Sequence, residues 1–471
     1  MDRAAVTKTV QQIWDESVLP SLSELVEIPA VSPAYDADWE ANGHLDAAVD
    51  HVRQWVTARG IPGAEAEVVR LDGRSPLLLI DIPPAEGAPE ETVLLYGHLD
   101  KQPPLHGWSE GLGPWTPVVR NGRLYGRGSV DDGYSGYAAI SAVEAARQHG
   151  GRHARCVVLL ETGEESGSPD LPAYLEHLSD RLGDVTLIVC LDSGAGDYER
   201  LWLTTSLRGG MQLEVTVRVL ESGQHSGMAS GILPSSFRIM RQLLDRIEDP
   251  RTGEILVPEL NVPIPNNRVE QTRAALEAVP GLVRNSVPLL DGMQPLSEDE
   301  VELALNNTWR PTLSVIGADG MPAPSDAGNV LRPYTTLMLS FRLPPTADPQ
   351  AAMEAVKQRL STDVPYGAQV SFGHSDTGMG WNAPDLQPWL HEALDQASAD
   401  IFGTRWQTMG VGGSIPLMGL LHNAYPDAQF VVTGALGPDS NAHVPDESLH
   451  LGFAAKLSAA IAYLLDAHAR R

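Results

Sequence analysis

TVLLYGHLD, residues 92–100, carries both the fold and the chemistry of this chain in one short stretch. Thr92 to Tyr96 is an apolar run of strand length without polar alternation, as expected of a strand buried on both faces. The run ends in Gly97, His98 and Asp100, so its polar residues fall where a strand of an open α/β sheet meets its ligands. LLLIDI at 77–82, ARCVVLLE at 154–161 and VTLIVCLD at 185–192 are runs of the same kind. Helical segments near 43–59, 134–149 and 171–181 stand between some of them. This alternation predicts an α/β domain built on a largely buried sheet.

Four more polar clusters follow or end apolar runs: SVDDG at 129–133, ETGEESG at 161–167, Leu191-Asp192-Ser193 and Ala442-His443. With Gly97–Asp100 they offer two histidines and three carboxylates as ligands, and two further carboxylates beside them. That is enough for two metal ions sharing one bridge. Zinc takes imidazole nitrogen and carboxylate oxygen, and a catalytic site leaves a position open for water. A ligating histidine needs its second nitrogen held. Side chains two apart in extended backbone share a face, which suits Asp100 to orient His98. Glu164 and Glu165 are adjacent acids, a costly pairing unless one meets a cation and the other a proton. A lone histidine or carboxylate is more often a structural group, so the reading rests on the five clusters jointly. Asp132 is read as turning the backbone.

YGHLDKQP, LYGRGSVDDG, ETGEESGS, LDSG, QHSG, GGSIP and NAH occur in this order between about residues 96 and 443. The series resembles that of the aminoacylase, carnosinase and carboxypeptidase G family of co-catalytic di-zinc metallopeptidases, above all its carnosinase-like cytosolic dipeptidase branch. The resemblance implies an α/β zinc-peptidase-like catalytic domain, with a central mixed sheet flanked by helices. A smaller α+β ferredoxin-like lid and dimerisation domain would interrupt it. It implies two divalent metal ions per subunit, Zn2+ first, with Mn2+ and Co2+ as alternatives. One metal would be held by His98 and Asp192 and the other by Glu165 and His443, with Asp131 bridging. Glu164 would be the general base and Asp100 the orienting acid. His225 and Arg342 match positions that touch substrate, Gly413 and Ser414 match a loop around its carboxylate, and Asn329 stands where a hydroxyl-bearing contact is common. Related enzymes reach the matching histidine across a dimer interface, which implies a homodimer. Two departures lie beside the site: Gly133-Tyr134 where the branch often has a lysine, and Lys101 where a small apolar residue is common. Both are expected to bear on substrate choice.

Near Leu207 the pattern changes. GMQLEVTVRV, LPSSFRIMRQLLDRI, TLSVIGA, TTLMLSFRL, a helix over 348–361 and AQVSFGH give a β-α-β-β-α-β order, that of a ferredoxin-like domain. Alternation in TTLMLSFRL sets Arg342 on the face opposite Leu339, Phe341 and Leu343, where a planar guanidinium suits a carboxylate. The expected division is a catalytic domain over 1–206 and 385–471, interrupted by an inserted domain over 207–384. Residues 250–310, rich in Pro, Asn and acids, read as a further insertion with short helices of its own.

The chain of 471 residues carries 61 acids against 33 lysines and arginines, a net charge of −28. Such a surface disfavours nucleic acid and anionic membranes. Cys156 and Cys190 sit in apolar runs, as buried reduced thiols do. The start reads as an amphipathic helix with Val10, Ile13, Trp14 and Val18 on one stripe, without the apolar core expected of a signal peptide, and no stretch approaches a membrane span. Cytoplasmic residence is the expectation. The expected activity is hydrolysis of the amide bond of a dipeptide or related small aminoacyl amide. Hydrolysis of N-acyl or N-carbamoyl amino acids is the alternative. A non-catalytic binding protein on the same scaffold ranks last, because it predicts loss of Glu164 or a ligand and none is lost.

Overall fold

The computed structural model describes residues 1–471 apart from the side chain of Pro416. The chain forms two compact units, one of residues 1–204, 383–409 and 420–471 and the other of 205–382 and 410–419.

The first unit opens with α1 (Arg3–Ile13), N-capped by the Asp2 carboxylate on the Ala5 amide, and passes through a π turn into α2 (Leu19–Glu27). Val10, Ile13, Trp14 and Val18 are buried, as the apolar stripe requires. After α3 (His44–Ala58) come β1 (Glu65–Val69), β2 (Leu77–Ile82) and β3 (Thr92–His98). Then follow α4 (Ser135–Gln148), β4 (Arg155–Glu161), α5 (Leu171–Leu182) and β5 (Val185–Cys190). A returning strand, Gln429–Val432, completes a six-stranded sheet in the order β1-β2-β4-β3-β5-returning strand. β1, β2 and β4 pair antiparallel, whereas β4, β3, β5 and the returning strand run parallel. The sheet is therefore mixed. Parallel pairing aligns His98 with Glu161 and Tyr96 with Cys190, so the polar residues after β3, β4 and β5 leave the sheet at one edge. All seven residues of β3 are buried, which is why the run shows no polar alternation.

Gly97 has a packing reason. A Cβ there would lie 1.9 Å from Ser135 Oγ and 2.6 Å from Asp132 Oδ2, because the start of α4 presses on this strand. On the helical side, the C-terminal helix Leu451–His468 packs against α4 and is buried over most of its length. A small antiparallel ribbon of Val118–Arg120, Arg123–Tyr125 and Ser448–His450 joins the middle of the chain to its end.

The second unit is built on β6 (Gly209–Arg218), β7 (Thr312–Asp319), β8 (Tyr334–Leu343) and β9 (Gln369–Gly378), in the antiparallel order β7-β8-β6-β9. With α6 (Ser236–Leu244) and α7 (Pro349–Ser361) this is the expected β-α-β-β-α-β order. Its core holds Leu213, Val215, Val217, Ile239, Leu243, Leu339, Phe341 and Val356. Between α6 and β7 lie the short helices Asn266–Ala278 and Glu300–Thr308.

Candidate metal centre

Asp131 stands at the middle of the cluster. Its Oδ1 lies 3.3 Å from His98 Nε2, which is in turn 3.9 Å from Asp192 Oδ2. Its Oδ2 lies 2.9 Å from His443 Nε2, which is 3.3 Å from Glu165 Oε2. One carboxylate thus faces a histidine–carboxylate pair with each oxygen. Ligand atoms of His98, Asp131 and Glu165 lie within 4.8 Å of one another, and so do those of His98, Glu164 and Asp192. The five residues expected as ligands are brought together, with Glu164 beside them. Glu165 Oε1 is buried without a hydrogen-bond partner among the described residues, an orphan that a cation would satisfy. Imidazole nitrogens and carboxylate oxygens are the donors zinc accepts.

Asp100 holds the cluster from behind. Its two carboxylate oxygens accept the backbone N–H groups of Glu164 (3.2 Å) and Glu165 (3.0 Å). The His98 Nδ1 lies 3.1 Å from the Asp100 carbonyl and 3.4 Å from its carboxylate, so Asp100 faces the ring with both groups. The Asp132 carboxylate accepts the His98 amide at 3.3 Å, which fits a backbone role.

The protonation pattern is that of acids crowded out of water. Burial pushes Glu165 up to about 8, with Asp131 adding to it, and Asp192 up to about 6 against the pull of His98. Burial and the Asp192 charge raise Glu164 well above the carboxylate range. For Asp131, burial acts upward but the hydrogen bonds from His443 and His98 outweigh it and hold the carboxyl well below its usual range. The Asp131 hydrogen bond lifts His443 to about 9 despite the partial burial of the ring. Glu161, accepting from Tyr96 Oη (2.6 Å) and Ser168 Oγ (2.9 Å), is raised by burial to about 7. Carboxyls whose proton affinity burial raises, set around an Asp131 that stays ionised, release protons when they take up cations.

The remaining expected site residues belong to the second unit. His225 and Asn329 are both exposed and meet through a short ladder: His225 pairs with Val330, and Ser226 N donates to the Asn329 carbonyl at 2.8 Å. His225 Nδ1 accepts from Gly227 N, leaving Nε2 outward. Arg342 projects from the exposed face of β8, and its Nη1 donates to Ser414 Oγ at 3.0 Å. Gly413 is held through its carbonyl by Arg208 N, and Arg208 Nε holds the Gly412 carbonyl.

Two expectations are corrected. Lys101 does not point to a substrate: it is buried, and its ammonium donates to the carbonyls of Leu25, Val26 and Ile28, closing the C-terminus of α2. Gly133 and Tyr134 are likewise packing positions. A Cβ on Gly133 would meet the Gly128 carbonyl at 2.4 Å. Tyr134 is fully buried, donating to the Leu191 carbonyl and accepting from Ala435 N. Residue types unusual for the motif here serve packing.

Other contributors lay outside the motif reading. Gln102 donates to Glu165 Oε2, and Arg127 and Glu447 form a buried ion pair at 2.7 Å. Gln102 follows His98 closely enough to have been suspected. Glu447 has no signal beyond standing four residues after His443.

Histidine and carboxylate donors gathered where parallel strands of a mixed sheet end are what metal-dependent hydrolases of the α/β class present. The chain belongs to peptidase family M20/M25/M40, whose model matches residues 94–468. It is similar to a cysteinylglycine-S-conjugate dipeptidase of Corynebacterium striatum, 28% identical over 442 residues that cover 92% of this chain and 91% of the relative. A Cys-Gly metallodipeptidase of Schizosaccharomyces pombe is 25% identical over 461 residues, 91% of each chain. The Beta-Ala-His dipeptidase of Mus musculus is 27% identical over 368 residues, 74% of this chain and 71% of that one. In fold the chain is similar to human carnosine dipeptidase 1, with a TM-score of 0.74 at 22% identity, covering 99% of this chain and 98% of that one. It is also similar to an M20 metallo-carboxypeptidase of Sulfolobus solfataricus, with a TM-score of 0.76 at 18% identity, covering 97% and 100%. The resemblance to the carnosinase-like dipeptidase branch therefore holds. Among the described residues no helix is long and apolar enough to cross a membrane.

Proposed function

We propose that this chain hydrolyses the amide bond of dipeptides with two divalent ions, zinc in the first instance, held around Asp131. The observation that carries the reading is the two-sided carboxylate of Asp131, with His98 and Asp192 on one side and His443 and Glu165 on the other. Bound divalent ions supply Lewis acidity and bring the pKa of a water toward neutrality. Glu164 takes the proton of the attacking water and returns it to the leaving nitrogen. Asp100 fixes the backbone of Glu164 and Glu165, so base and ligand keep one geometry. His225 donates to the oxyanion. Arg342, with Gly413 and Ser414, receives the substrate carboxylate, and Asn329, whose carbonyl accepts Ser226 N, contacts substrate beside His225. The dipeptide class is supported by the relatives, which are dipeptidases matched over most of their length. A cytoplasmic homodimer completes the reading. Met228 and Ile232, exposed beside His225, suit a covered surface, and a sedimentation mass of one chain would remove the dimer.

The activity is tested by stripping the protein of metal and assaying Cys-Gly, β-Ala-His, an N-acetyl amino acid and an N-carbamoyl amino acid with and without added zinc or manganese. Metal-restored cleavage with a dipeptide turned over fastest is expected. Faster turnover of the N-acyl or N-carbamoyl substrate would replace the dipeptidase reading with the deacylase one.

A further inference from the structure

Arg127 and Glu447 form a fully buried charged pair. They are 1% and 0% exposed and joined by Arg127 Nη1 to Glu447 Oε2 at 2.7 Å. The other oxygen of Glu447 accepts three contacts from one loop: Gly128 N at 2.8 Å, Val130 N at 3.3 Å and Asp131 N at 3.4 Å. Its backbone carbonyl accepts Gly126 N at 3.0 Å, continuing the ribbon in which Ser448–His450 pairs with Arg123–Tyr125. Arg127 Nε donates to the carbonyl of Pro103, on the segment that leaves His98. Three stretches bearing His98, Asp131 and His443 are thus tied at one point.

A buried ion pair adds little net stability over apolar residues of the same volume, so stability alone does not account for it. Alignment does. His443 has φ 65°, and Asn441 and Asp446 in the same loop have φ 53° and 65°. Left-handed backbone at residues other than glycine persists where the surroundings over-determine it. Glu447 supplies that constraint from one end of the loop, and Asp446, accepting from Ser109 N at 2.9 Å, reinforces it.

We propose that Glu447, locked by Arg127, is a positioning residue of the metal centre: it sets the Asp131 backbone against the His443 loop so that one carboxylate can serve both histidines. The proposal rests on the metal-binding reading above. Its test is zinc affinity, read by competition with a chromophoric chelator on the full-length, metal-stripped protein. Glu447→Gln keeps the shape but puts a donor against either Arg127 or the amides, and is expected to weaken at least one zinc site about tenfold; Glu447→Ala is expected to weaken it up to about a hundredfold. Asp81→Ala, which breaks the Arg155 pair in the same unit, is the control and is expected to leave both affinities unchanged. Wild-type zinc affinities in Glu447→Gln would overturn the proposal, and so would an equal loss in Asp81→Ala. Should Glu447→Ala not fold, Glu447→Gln decides. Absence of zinc binding by the wild type would overturn the metal reading itself, an outcome distinct from a failure confined to the variants.

Discussion

The acids around Asp131 divide into those that could hold a cation and those that serve them, and the division is visible in their hydrogen bonds. Asp100 gives both oxygens to backbone amides, whereas Glu165 keeps one buried oxygen without a partner among the described residues. Glu164, with its carboxyl raised by burial and Asp192, is suited to carry a proton. Glu164→Gln is accordingly expected to lower kcat by about 10²–10⁴ while zinc stoichiometry stays at the wild-type value; retained kcat would remove Glu164 from the chemistry. Glu161 gives a prediction of the opposite kind, on stability. Its folded carboxyl sits near 7, above the unfolded value of about 4.3, so the folded state binds the extra proton. That contribution is complete below the unfolded pKa and is lost as pH rises through about 7. In metal-free protein, Glu161→Gln should therefore gain on the wild type between pH 5 and pH 8, by roughly 3 kcal/mol at the upper end. Urea unfolding at the two pH values checks this, and parallel profiles would contradict it. His98, Glu164, Glu165 and Asp192 stood out in the sequence because they follow apolar runs, and Asp131 and His443 only through the order of the motifs along the chain. Glu447 and Arg127 did not, since a residue that orients a ligand needs only to reach it in space. Lys101 was misread for a related reason: motif spacing cannot say which way a side chain leaves the chain, and the free carbonyls ending α2 decide it.

Strand β3 and helix α4 meet so closely that the sequence between them has little freedom. The gap at Gly97 is filled by Ser135 Oγ and Asp132 Oδ2, and Asp132 also accepts the His98 amide. Gly97→Ala is expected to destabilise the fold by about 1–3 kcal/mol through overpacking and to weaken zinc binding by displacing Asp132. A thermal unfolding curve and a zinc titration on the same variant check both, and unchanged values would show that α4 can shift at no cost. In the second unit β8 works as a ruler: Leu337, Leu339, Phe341 and Leu343 are buried and Arg342 is exposed with its guanidinium on Ser414. Arg342→Ala is expected to raise KM for a dipeptide about 10–100-fold, as loss of a charge-assisted hydrogen bond implies, and to leave the KM of the corresponding dipeptide amide nearly unchanged. Equal effects on both substrates would place Arg342 away from the carboxylate. The elements themselves were readable from period-two alternation and from apolar runs. The position of residues 410–419 was not: they follow the returning chain in sequence, yet contacts such as Arg208 to Gly412 draw them into the second unit.

At the scale of the molecule, an insertion between β5 and the returning strand leaves the parallel edge intact, and the chain must come back to deliver His443. That return sets His443 and Glu165 opposite His98 and Asp192 across Asp131, and no local pattern announces it; only the order of the clusters along the whole chain does. The composition indicated a large acidic protein whose partners are unlike nucleic acid, but it said nothing of which amide is cut. The most direct test of the two-ion centre is anomalous diffraction at the zinc edge from crystals grown with zinc. The account predicts two peaks, one bounded by His98 and Asp192 and the other by His443 and Glu165, each touching a different oxygen of Asp131. A single peak, or peaks that leave Asp131 uncoordinated, would contradict it.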